Sequence, residues 1–189
     1  MVDEAHSIGL FGKSGKGTGE YFGLEKEIDI IMGTFSKSFG SIGGFIVSNE
    51  PIIEFIKHHS RPFIFSASMP PPSVAAVLAS LEIIEKEPER RDRFWENTNF
   101  VKKMLNEIGF KVSMNNSSII CLFIGEELMT FKFWQSLFDE GVFTNPIISP
   151  AVPKDNAVLR ISCMATHNKR SLIKAIEIFE KVGKKLKII

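Results

Sequence analysis

Cysteine is scarce in this 189-residue chain: only Cys121 and Cys163 occur, each in an apolar run and neither in a CxxC spacing. That excludes a disulfide scaffold and predicts reduced core thiols in a cytoplasmic protein. An excess of either charge is missing too, since 23 Lys and Arg face 22 Asp and Glu. A net charge of +1 gives no reason to expect nucleic acid as a partner. No stretch approaches the ~18 apolar residues of a membrane helix. Internal repeats and low-complexity segments are absent. His58 and His59 are adjacent on a predicted helix and point apart, so no metal site is expected. What is present, 44% hydrophobic and 24% charged residues with 14 Gly and 9 Pro, is an ordered globular composition.

Residues 2–7, VDEAHS, read as the exit of a buried strand, whose covering strands and helices must come from further chain unless it stands at an edge. Residues 8–20 hold five glycines and no apolar periodicity, which predicts a long flexible loop. Strands are predicted at Ile28–Met32, Phe45–Val47 and Arg61–Phe65. Asn49 suits the N-cap of a helix from Pro51 to about His59. Prolines 70–72 introduce a helix with Val74, Val77, Leu78, Leu81 and Ile84 on one face. The charged run EKEPERRDR, residues 85–93, marks a domain boundary, giving domains 1–85 and 86–189. Beyond it the pattern predicts a long helix ended by Gly109, a strand at 119–124, a helix over 131–140, short strands at 142–143 and 158–162, and a closing helix from 169 to 186. That second half reads as a small α+β domain with helices on one face of a sheet.

Three places can carry chemistry. GTFSKSFGSIGG, residues 33–44, puts Lys37 at a strand's end with Thr34 and Ser36 beside it and glycines that let backbone approach a ligand. Such a turn suits a phosphate, with the lysine as its point charge or as an amine that condenses with an aldehyde; a plain surface lysine is the alternative. Asp3 ends a strand, where open α/β sheets bind ligands, and can hold a proton on a heteroaromatic nitrogen while His6 donates to the same ring; both could equally be structural. Arg160 interrupts the apolar strand VLRIS and needs a partner, either a substrate carboxylate or a protein one. GKSGKGTG, from Gly12, imitates a phosphate loop, but that motif requires a glycine where Ser7 stands. His167, in a predicted cap region with Thr166 and Asn168, reads as structural or as part of a site's rim.

Together DEAHSIGLFGKSGKG, GTFSKSFGSIGG, SRPFIFSASMPP and LRISCMATH resemble, in order and spacing, the α-oxoamine synthases, a family of fold-type I pyridoxal-phosphate enzymes. The likeness runs through essentially the whole chain and corresponds to the C-terminal half of family members. GTFSKSFGSIGG, FSASMPP and NPIISPAVP resemble most the bacterial branch that condenses serine with an acyl-CoA. The resemblance implies an α/β fold: part of the large pyridoxal-phosphate domain, then a small α+β C-terminal domain. It implies a cofactor, pyridoxal 5'-phosphate, bound covalently by Lys37, paired at its ring nitrogen with Asp3 and contacted by His6. Thr34 and Ser36 would face the phosphate, and Ser66 would reach the phosphate of the other subunit in a homodimer. Arg160 would receive the carboxylate of serine, glycine or alanine, with acyl-CoA as second substrate. A fold-type I aminotransferase or β-eliminating lyase, or a non-catalytic partner subunit, are the alternatives. The remaining N-terminal half of such an enzyme is a further expected partner.

Overall fold

The computed structural model describes residues 1–189, which form two compact units, Met1–Arg91 and Asp92–Ile189. The architecture is mixed α/β, with helices against two small sheets. No helix is long and apolar enough to cross a membrane.

In the first unit the sheet has three strands in the order β1 (Val2–Asp3), β2 (Ile31–Thr34), β3 (Gly44–Val47). β1 runs parallel to β2, with Asp3 opposite Met32, and β3 runs antiparallel to β2. β1 is therefore an edge strand within this chain. Between β1 and β2 lies α1 (Thr18–Phe22). The loop before it is ordered rather than flexible: Gly9 N–H donates to the Gly15 carbonyl at 2.7 Å and Gly17 N–H to that of Phe11 at 3.0 Å. Helix α2 (Glu50–His59) begins as its sequence directs, the Asn49 carboxamide oxygen accepting from Ile52 N–H at 3.2 Å.

The strand expected at Arg61–Phe65 is instead the short helix α3 (Arg61–Ile64). Pro62 presets a helical φ near its start, and the Ser60 carbonyl accepts from both Phe63 and Ile64 N–H at 3.0 Å. A five-residue apolar run carries no periodicity that separates the two states. Helix α4 (Pro71–Lys86) follows the three prolines. Of its apolar face only Val77 is buried, while Val74, Leu78 and Leu81 stand exposed.

α5 (Pro88–Glu107) takes in most of the charged run, because Pro88 occupies a first turn whose amide needs no partner. The second unit's sheet is antiparallel, in the order β4 (Ile119–Gly125), β6 (Ala157–Ser162), β5 (Asn145–Ile147). β5 lies a few residues beyond the expected 142–143, since Val142 N–H still closes the preceding helix on the Leu137 carbonyl. α5, α6 (Glu127–Asp139) and α7 (Lys169–Lys185) contribute Leu105, Phe133, Leu137, Leu172 and Phe179 to a core completed by Ile120, Leu122, Leu159 and Ile161. Cys163 belongs to that core, and burial pushes its thiol up to about 11. Cys121 does not: strand alternation turns it away from Ile120 and Leu122, and it is half-buried rather than a core thiol.

Candidate active site

β1 and β2 are adjacent and parallel, so their C-terminal ends open on the same side of the sheet, the side where such sheets bind ligands. Asp3 ends β1 and Thr34 ends β2. The register sets their backbones about 8 Å apart, one strand across and two residues along. Asp3 Oδ1 accepts the Ala5 N–H at 2.8 Å, and its carboxylate stands exposed. His6 follows, itself exposed, on the otherwise buried turn after it.

From Thr34 the chain runs into the loop that carries Lys37. Thr34 Oγ1 accepts from Lys37 Nζ at 3.3 Å and from Ser36 Oγ at 3.4 Å. Both bonds are long, so an anion or a carbonyl carbon can displace them at small cost. The amine forms no ion pair. A primary amine with two hydroxyls around it, and an exposed carboxylate ending the adjacent strand on the same side of the sheet, make a donor set that fits an aldehyde-bearing, phosphorylated pyridine.

The loop itself is firmly held. Phe35 N–H donates to the Gly43 carbonyl at 3.0 Å, Ser41 N–H to that of Phe35 at 2.7 Å, and Gly40 N–H to that of Lys37 at 3.0 Å. From α4, Ser80 Oγ donates to the Phe39 carbonyl at 2.8 Å, while Ser41 Oγ donates to that of Ser73 at 3.0 Å. Phe39 is buried edge-on to Phe35, centroids 5.3 Å apart, and Phe35 lies 5.3 Å from Phe45. Small residues are required beside it: a Cβ on Gly44 would stand 2.6 Å from the Gly33 carbonyl oxygen, and one at Gly43 would strike the Met69 sulfur.

Glu4, between Asp3 and Ala5, is buried and fastens the turn that bears His6. Its carboxylate accepts from Thr18 N–H at 2.7 Å, Gly19 N–H at 3.0 Å and the Ser7 hydroxyl. Burial alone would raise its pKa; the three donors outweigh that and hold it below the ordinary carboxylate value. The glycine-rich loop is likewise occupied from within. Ser14 and Lys16 N–H both donate to the Glu20 carboxylate, at 3.0 Å, so its amides cradle a side chain rather than a phosphate.

Ser66 lies in the exposed segment after α3 and forms no hydrogen bond within the chain. Arg160 stands in the second unit, central on β6, half-buried and without a carboxylate partner. His167 is structural, its Nδ1 accepting the Met164 N–H at 3.2 Å. A further buried cation had no sequence signal beyond its place on the inner arc of α5. Lys102 Nζ donates to the carbonyls of Asn115 and Ser117, both at 2.8 Å. Desolvation lowers its pKa, partly countered by Cys163 and Cys121. No group of three His, Cys, Asp or Glu comes together that could hold a metal.

The fold and this strand-end lysine place the chain in a class: residues 1–179 match the family model for aminotransferase class I and II, and the chain belongs to that family. Within it, the chain is 46% identical over 189 residues to the serine palmitoyltransferase of Bacteroides ovatus, covering 100% of this chain and 48% of that protein. It is 41% identical over 188 residues to the 8-amino-7-oxononanoate synthase of Symbiobacterium thermophilum, again 100% and 48%. Among solved structures, the Sphingomonas wittichii serine palmitoyltransferase superposes with a TM-score of 0.94 at 34% identity, covering 100% of this chain and 48% of that one. A structure of SPT with a PLP internal aldimine gives 0.94 at 37% identity with the same coverage. These relatives agree with the α-oxoamine synthase resemblance. The chain spans about half the length of the curated relatives it matches.

Proposed function

We propose that this chain is the C-terminal half of a pyridoxal-phosphate-dependent acyltransferase that condenses an amino acid with an acyl-CoA thioester, as a serine palmitoyltransferase does. The observation that carries the reading is the Lys37 amine, bonded only to Thr34, on the loop that leaves β2 at the same sheet end as Asp3 of the parallel β1. Bound there, pyridoxal phosphate supplies an electron sink for the charge that develops at the amino acid's Cα. Lys37 Nζ would hold the group at its aldehyde carbon and would serve as the base that takes the proton from Cα. Asp3 keeps the ring nitrogen protonated through its adjacent negative charge. His6 donates to the ring oxygen and orients the thioester carbonyl. Thr34 and Ser36 donate to the phosphate, as does Ser66 to that of a second copy in a homodimer. Arg160 takes the substrate carboxylate in its planar fork. The setting is cytoplasmic, and the N-terminal half completes the site.

The test is an absorbance scan of the purified chain with added pyridoxal phosphate, alone and with the complementary half of a relative supplied in trans. A band near ~420 nm that disappears in Lys37→Ala is expected, because the condensation needs a primary amine held at the aldehyde and Lys37 is the amine proposed for that place. Absence of the band under both conditions, or its survival in Lys37→Ala, overturns the proposal.

A further inference from the structure

The open face of the second sheet carries a residue that the roles above leave out. On β6, Leu159 and Ile161 enter the helix-side core, so Arg160 between them faces the other way. Its directly paired neighbours are Cys121 on β4 and Asn145 on β5. Paired residues of antiparallel strands project on one face, with Cβ atoms about 5 Å apart. The row across the sheet is thus Cys121, Arg160, Asn145, all in one unit. The next pairs along the same strands are Phe123 with Val158, Ile119 with Ser162, and Ile147 with Val158. None of these can neutralise a guanidinium. Asn145 is the neighbour able both to accept and to donate, and its carboxamide is exposed and forms no hydrogen bond within the chain.

We propose that Asn145 is a second ligand of the substrate carboxylate, its amide N–H₂ donating to an oxygen of the anion that Arg160 holds, so that the pair selects amines bearing a carboxylate. On substrate binding the carboxamide oxygen turns to accept from the guanidinium and fixes its fork; the amide protons remain for the anion. Cys121 on the opposite side offers no competing charge. This rests on the assignment of Arg160 to the substrate carboxylate.

The test is isothermal titration calorimetry of the holoenzyme with L-serine, glycine and L-alanine against 2-aminoethanol, which keeps amine and hydroxyl but lacks the carboxylate. Asn145→Ala is expected to weaken the best-bound amino acid about tenfold, the effect of one hydrogen bond to a charged group, and to leave 2-aminoethanol unchanged. Asn145→Asp should weaken it further without lowering Tm, because the new carboxylate occupies the Arg160 fork. If Asn145→Ala alters neither ligand, or both equally, while Arg160→Ala abolishes the preference for amino acids, the role of Asn145 is overturned and that of Arg160 stands. If Arg160→Ala leaves the preference intact, or the wild type shows none, the carboxylate assignment itself falls.

Discussion

Glu4 concentrates in one side chain the tie between the turn after β1 and the start of α1. Its carboxyl is held below the ordinary carboxylate value, so its contribution is complete above that ordinary value and is lost as pH falls through the lowered one. Glu4→Gln removes the charge and leaves at least one of its three donors poorly matched, at a cost of about 1–3 kcal/mol. Thermal melts should show a Tm several degrees lower at pH 7 and a shallower decline than wild type between pH ~5 and ~3. Equal melting of the two proteins at both ends of that range would refute this role. Asp3 and Lys37 were legible because their surroundings in sequence are peculiar. Glu4 and Lys102 were not, because a charged letter reads as surface until the donors or carbonyls that satisfy it are known, and all but the Ser7 hydroxyl come from residues 13 to 15 positions away.

At the scale of elements, the Lys37 loop is a rigid support. Its Phe39 carbonyl accepts from Ser80 of α4, its Ser41 hydroxyl donates to the Ser73 carbonyl of α4, and Phe35 lies against Phe45 of β3, so the amine is presented by a structure already ordered. Gly44→Ala drives a methyl into the Gly33 carbonyl and should separate β2 from β3, costing about 1–3 kcal/mol. Hydrogen exchange is expected to accelerate at residues 35–47 in this variant while β4 and β6 remain unchanged. Uniform acceleration throughout the chain, or none, would show that the close approach does not support the loop. Capping and periodicity announced α2, α4, α5 and α7, for their signals are local. The reversal at Arg61–Ile64, from expected strand to helix, arose where the run was too short for any period to operate.

For the molecule as a whole the two units are unequal. Of the apolar residues in Met1–Arg91 only Ala5, Phe39 and Val77 are buried, against eighteen in Asp92–Ile189. Phe65 is 82% exposed, Phe63 65% and Phe55 63%. At roughly 25 cal/mol per Å² of apolar surface, the first unit leaves much of its available stabilisation unused. Native-state hydrogen exchange should therefore find the amides of β4, β6 and α7 protected by at least ~100-fold more than those of β2 and β3. Supplying the complementary half of a relative in trans should raise protection in the first unit selectively. Equal protection of both units in the chain alone would contradict this distribution of buried surface.

The sequence by itself determined the α/β class, the capped helices, the loop that bears Lys37 and the family, because these depend on short-range pattern and on residues close together in the chain. Tertiary structure decided that Asp3 and Lys37 stand at one sheet end, that Glu4, Ser73 and Ser80 hold their loops, and that Arg160 lies between Cys121 and Asn145. Those are matters of strand register and of hydrogen bonds between distant segments, and no local pattern of letters specifies which strand pairs with which.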